Sequence, residues 1–203
     1  MEKKSKRTSV YTLAVNAILI GLMILLAFTP LGIIPIPPAN MSLLCLPVII
    51  GTIACGLRSG LVLGAIFGIT STIKAFTTPS ALVVPLLGAS PAGVVIMSIA
   101  ARLLIPVVTW LVYKAFEKNN KNLHVGTGVA ALAGSLTNTV FYLGLMLLFY
   151  ATSGLDSAAV LAVVGGVGAL NGSLEAAAAI IVCTPVMAAL RKMRKNKSSA
   201  KTA

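Results

Sequence analysis

The chain has 203 residues, of which 58% are apolar and only 10% charged, with a mean hydropathy of +1.00. A soluble domain carries about 25% charged residues, so this composition excludes a water-facing globule and implies that lipid surrounds most of the chain. Sixteen Lys and Arg against four Asp and Glu give a net charge of +12. These basic residues gather at the ends of apolar runs and form no stripe interleaved with aromatics, which excludes nucleic acid as the partner.

A transmembrane helix needs about 20 apolar residues to cross roughly 30 Å of hydrocarbon. The first such run, residues 11–28, follows a basic segment. It is longer than a signal-peptide core, and Phe28-Thr29-Pro30 is a poor cleavage context, so it reads as a retained span. A charge-free, proline-rich segment at 31–40 leads to a short second span at 41–57, which contains Pro47. Arg58-Ser59-Gly60 reads as a tight turn into the third span, 60–76. Another charge-free connection, with Pro79, Pro85 and Pro91, leads to the fourth span at 92–116. The fifth covers 125–150 and the sixth 158–190. The expected fold class is an all-α integral membrane protein, with a six-helix transmembrane domain over 11–190 between a basic N-terminus (1–10) and a basic tail (191–203).

Lys and Arg are retained on the cytoplasmic side of short loops. The N-terminus, the turn at Arg58, the loop with Lys114, Lys118 and Lys121, and the tail together hold 14 of the 16 basic residues. The three alternate loops hold none, and their only charge is Asp156. Both termini are therefore expected in the cytoplasm, in a multi-pass membrane protein. Basic residues in the tail also suit anionic headgroups of the bilayer.

Three ionisable residues fall inside the spans: Lys74, Arg102 and Glu175. Each costs about 2.5 kcal/mol or more at the centre of a membrane helix, which makes each a candidate functional residue. Lys74 ends the third span, where its stem reaches the interface. Arg102 lies ten residues into the fourth span, about 15 Å deep. Glu175 lies near the middle of the sixth, with Asn171 one turn away on the same face. Asn138 has a similar depth in the fifth span. A single Asn in a membrane helix often only joins helices, but these four residues place polar groups on the last three spans at matching depth. That pattern suits a cavity for a small polar molecule. Pairing of Arg102 with Glu175 is the structural alternative.

Other chemistry is absent from the sequence. Cys45, Cys55 and Cys183 lie in apolar stretches without metal-ligand spacing, and His124 is the single histidine. No phosphate-binding loop, nucleophile elbow or paired-carboxylate motif occurs, so no enzyme activity, cofactor or metal is expected, and transport would draw energy from a partner or an ion gradient. Small residues recur at helical spacing: Gly60, Gly64 and Gly68 in the third span, Gly168 and Gly172 in the sixth, and Ala14, Ala17 and Gly21 in the first. Such faces let helix backbones approach closely in lipid. Internal packing explains the third and sixth; the first, free of ionisable residues, is a candidate face for another protein.

Several stretches carry a family resemblance. These are Leu31-Gly32-Ile33-Ile34-Pro35 with Leu46-Pro47-Val48-Ile49-Ile50-Gly51, and Gly56-Leu57-Arg58-Ser59-Gly60 leading to Phe67-Gly68-Ile69-Thr70-Ser71. Gly134-Ser135-Leu136-Thr137-Asn138-Thr139 and Asn171-Gly172-Ser173-Leu174-Glu175-Ala176 complete the set. Together with the span count they resemble the substrate-binding S components of energy-coupling factor vitamin transporters, most of all the pantothenate-type ones. The resemblance implies a non-catalytic subunit that captures a vitamin outside and meets a coupling transmembrane subunit and two ATP-binding-cassette ATPases. It implies an outward pocket built from outer loops and the last three helices, with the loop between the first two spans as a lid. It also implies that the Ala14, Ala17 and Gly21 face meets the coupling subunit. Asn40, at the end of the lid segment, joins Lys74, Arg102, Asn138, Tyr142, Asn171 and Glu175 as candidate substrate-binding residues.

The pocket chemistry suits a small flexible carboxylate. Lys74 and Arg102 give a net positive lining, and a guanidinium holds a carboxylate through two parallel hydrogen bonds. The amides of Asn138 and Asn171 both donate and accept, which suits hydroxyl and amide groups on one ligand. Tyr142, Phe149 and Tyr150 are the expected outer aromatics, too few for extensive stacking on a large ring system. Pantothenate fits this description. A stand-alone proton-coupled transporter using Glu175 and a ligand-free scaffold are the competing readings.

Overall fold

The computed structural model describes residues 10–29, 32–36, 39–118, 122–163, 165–166 and 169–199; within these, the side chains of 33–36, 39–41, 159, 163, 169 and 194–199 lie outside the description. The elements in chain order are α1 (Val10–Phe28), β1 (Ile33–Ile36), β2 (Ala39–Ser42), α2 (Cys45–Cys55), α3 (Leu57–Thr77) and α4 (Val83–Ala89). They continue with α5 (Pro91–Lys118), α6 (Leu123–Thr152), α7 (Ala158–Val163) and α8 (Ala169–Ser199).

Five helices among the described residues are long and apolar enough to cross a membrane: α1, α3, α5, α6 and most of α8. The expected second span differs. Helix α2 has 11 residues, a rise of about 16 Å against the roughly 30 Å of a bilayer core. The residues expected to begin that span form β2 instead. It pairs antiparallel with β1, Ile33 facing Ser42 and Ile36 facing Ala39. The fold is all-helical apart from this one small hairpin. Isoleucines 33, 34 and 36 favour extended backbone, and a two-stranded pair tolerates Pro35 because its strands are edges. Of the expected sixth span, 158–190, α7 covers the start and α8 covers 169–190, with Gly165 and Gly166 in π-helical backbone between them.

Short as it is, α2 occupies the middle of the bundle. Every residue from Cys45 to Ile53 is buried, and the helix meets α1, α3, α5, α6 and α8. A helix apolar all round belongs in such a position. Pro47 sits in its first turn, where the missing N–H breaks no helical bond. The turn into α3 falls at Gly56 (φ 92°), a left-handed conformation suited to glycine. Arg58-Ser59-Gly60, expected as that turn, forms the first turn of α3 instead.

The glycine face of α3 packs against α5. A Cβ at Gly64 would stand 2.8 Å from the Arg102 carbonyl oxygen, and one at Gly68 would stand 3.1 Å from Ile99 Cα. Pro106, four residues after Arg102, has no N–H to offer that carbonyl, so the bare α3 backbone lies where α5 is itself interrupted. Arg102 is thereby fixed on the α3 side of α5. At the far end, Arg191 of α8 donates to the Thr127 hydroxyl at 2.6 Å, to the Tyr113 hydroxyl at 3.1 Å and to the Leu123 carbonyl at 3.2 Å. This closes the end of the bundle that carries Arg58, Lys114 and Lys118.

Gly21 contrasts with Gly64, since a Cβ there would meet nothing within 4 Å. Thermal unfolding in detergent should therefore find Gly64→Leu destabilised by about 1–3 kcal/mol through overpacking, and Gly21→Leu within about 0.5 kcal/mol of the parent. Equal stabilities would remove the close approach of α3 and α5 from the account.

Candidate ligand-binding site

Two apolar clusters build the bundle. One joins α1, α2 and α3 with parts of α5, α6 and α8. The other joins α4, the start of α5, the end of α6 and Val160. Between them, at the end opposite Arg191, lies a cavity of about 450 Å³, within the roughly 300–1,000 Å³ range of small-molecule sites. Leu44 and Phe67 of the first cluster border it, as do Ala75, Leu82, Val83 and Met146 of the second.

Six residues singled out from the sequence line this cavity: Lys74, Arg102, Asn138, Tyr142, Asn171 and Glu175. Asn40 lies in β2 opposite Pro35, and its side chain falls outside the described residues. Helix periodicity explains how residues far apart converge. On α6, Asn138, Thr139, Tyr142, Leu143 and Met146 share one face, and on α8 Asn171 and Glu175 lie one turn apart.

Arg102 is 6% exposed. Its guanidinium lies over the Tyr142 ring at 4.1 Å and over the Phe67 ring at 5.2 Å from the centroids. Its Nε and Nη1 are buried without a hydrogen-bond partner in the protein, as are Asn138 Oδ1 and both amide atoms of Asn171. Buried polar groups are almost always paired; other unpartnered atoms lie away from the cavity, at Asn16, Ser98, Thr109, Ser135 and Thr184, but those of Arg102, Asn138 and Asn171 belong to side chains that line it. Glu175 is arranged differently. Its Oε1 accepts from the Ser42 N–H at 2.8 Å and its Oε2 accepts from the Thr139 hydroxyl at 3.2 Å. No salt bridge joins Arg102 to Glu175; among the described residues the single side-chain ion pair is Lys114 with Glu117 on the exposed end of α5. The structural alternative of a neutralising Arg102–Glu175 pair is therefore not what the bundle forms.

Sequence reasoning missed other lining residues. Phe67, Thr70 and Ser71 precede Lys74 on one face of α3, and the i, i+3, i+4, i+7 spacing from Phe67 was the available signal. Ser42 carried none, because its bond to Glu175 joins residues 133 apart in the chain. Among the expected aromatics, only Tyr142 lines the cavity. The Tyr150 hydroxyl donates to the Leu82 carbonyl in the second cluster, and the Phe149 ring packs beside Gly93. Phe28 and Phe67 line the cavity in their place. On the outside of the bundle, Ala14, Ala17 and Gly21 of α1 are all exposed.

Two comparisons place the chain among known proteins. The profile of a family described as "ECF transporter, substrate-specific component" matches residues 11–187. The Pantothenic acid transporter PanT of Lactococcus lactis subsp. cremoris (strain MG1363) is 37% identical over 205 residues, covering 96% of this chain and 99% of the relative. A multi-pass helical bundle, a ligand-sized cavity and a family match over nearly its whole length lead to one conclusion: the chain belongs to the substrate-specific components of energy-coupling factor transporters.

Proposed function

We propose that this chain binds pantothenate in the cavity lined by Arg102, Asn138 and Asn171 and delivers it to an energy-coupling factor complex. The observation that carries the reading is the set of unpartnered buried polar atoms on one wall of the cavity. In this reading the Arg102 guanidinium donates to the ligand's carboxylate through one of the two-donor edges that a planar guanidinium presents. Lys74, in the last turn of α3, adds a second positive charge. Asn138 and Asn171 serve the ligand's amide and hydroxyl groups, and Tyr142 and Phe67 hold the guanidinium between them. The L. lactis relative's printed name points to the same ligand.

The reading places the cavity on the outer side, with both termini in the cytoplasm, because the basic residues of the loops collect at the opposite end. The β1–β2 hairpin and α2 together take the place of a full second span. The exposed Ala14, Ala17 and Gly21 face then meets the coupling transmembrane subunit, which joins two ATP-binding-cassette ATPases. Small residues there let a partner helix approach closely.

Two measurements test this proposal. Arg102→Ala should weaken pantothenate binding to the purified chain about tenfold or more, the size expected for losing hydrogen bonds to a charged group; equal binding by the variant, or no binding by the parent, contradicts it. Ala17→Leu should abolish uptake in cells supplying the coupling subunit and ATPases, while pantothenate binding to the isolated variant stays unchanged. Loss of both together would assign that face to internal packing.

A further inference from the structure

The carboxylate of Glu175 stands apart from the other polar groups of the cavity. It is 4% exposed, and both its oxygens are already engaged by donors of the protein, Ser42 N–H and the Thr139 hydroxyl. Arg102, Asn138 and Asn171 around it keep buried atoms without partners. Glu175, by contrast, is bonded to its own chain.

What it holds is the foot of the β1–β2 hairpin. Ser42 is the last residue of β2, and the next amide, Leu43 N–H, donates to the Gly32 carbonyl at 3.0 Å to close the hairpin's base. The two feet are attached differently. On the α1 side, Gly32 is buried, and a Cβ there would overlap the Leu26 carbonyl oxygen, so that foot is seated by close packing on α1. On the other side, the Ser42 N–H donates to Glu175 and so ties the hairpin to α8, alongside the packing of β2 on that helix; such a directional contact breaks without unpacking a helix. Thr29 and Ser42, the residues at which the chain leaves α1 and ends β2, both line the cavity. The hairpin accordingly springs from the rim of the site.

We propose that Glu175 is a positioning residue that pins the β1–β2 hairpin to α8 at the rim of the cavity, and so sets how fast ligand leaves, rather than contacting the ligand. The proposal rests on the reading of this cavity as the pantothenate site. Thr139 orients the carboxylate through Oε2, leaving Oε1 aimed at the Ser42 amide. Reach is then the essential property of the side chain, and its charge is secondary.

Two conservative variants separate reach from charge. Glu175→Gln keeps the length and an oxygen that accepts from Ser42 N–H, and its amide donates to Thr139. Glu175→Asp keeps the charge but withdraws the acceptor by one methylene. Amide hydrogen exchange over residues 39–44 is measured on the full chain in lipid nanodiscs without ligand, followed by the release rate of pantothenate. The pin predicts that Glu175→Asp speeds both exchange and release about tenfold or more, the effect of losing a hydrogen bond to a charged group, whereas Glu175→Gln stays within about threefold of the parent. The opposite order, or unchanged exchange in Glu175→Asp, overturns the proposal. Should the parent not bind pantothenate, the function proposed above fails, while the exchange comparison still decides whether Glu175 pins the hairpin.

Discussion

Burying one guanidinium inside a lipid-embedded bundle is the constraint around which this fold is arranged. A charged side chain near the centre of a membrane helix costs about 2.5–3.5 kcal/mol on insertion scales. Arg102 meets this cost without an acidic partner, lying instead over the rings of Tyr142 and Phe67. Two such contacts at about 0.5–2 kcal/mol each are of the same size as the insertion cost. They offset the charge but leave Nε and Nη1 without hydrogen bonds, and each unmade bond on a buried group costs about 1–3 kcal/mol. In the function proposed above, the rings hold Arg102 in place and its guanidinium bonds the carboxylate of the ligand.

The surrounding helices serve that arrangement. The bare glycine face of α3 brings Phe67 close to Arg102, since a side chain at Gly64 would collide with the Arg102 carbonyl. Helix α6 brings Tyr142 from the other side and Asn138 one turn away. Helix α2 fills the middle with apolar side chains and leaves the polar wall to its longer neighbours. The Arg191 contacts to Tyr113, Thr127 and Leu123 bind α5, α6 and α8 at the opposite end, so the cavity end is free of that clamp. The cavity end instead carries the β1–β2 hairpin, whose foot at Ser42 is bonded to Glu175.

Much of this was legible in the sequence because lipid imposes strong rules. Apolar length located α1, α3, α5 and α6 to within a few residues, and the expense of intramembrane charge drew attention to Arg102, Glu175 and Lys74 before any geometry was known. Matching depth on separate helices then indicated a shared cavity. The second span misled because hydropathy measures how apolar a segment is and not whether its backbone is helical: residues 41–57 are uncharged and mostly apolar, yet the first two of them belong to β2. The role of Ser42 was out of reach, because a backbone amide is present at every non-proline position and only the fold brings this one to Glu175. Phe67 and Thr70 were within reach of helical periodicity counted back from Lys74.

The central claim is that a buried guanidinium recognises the ligand through a carboxylate. Competitive binding of pantothenate and pantothenol, which differ in that an alcohol replaces the carboxylate, tests it most directly on the unaltered protein. The account predicts that pantothenol binds at least about tenfold more weakly, as expected for losing charge-assisted bonds to Arg102. Equal affinity for the two would contradict it.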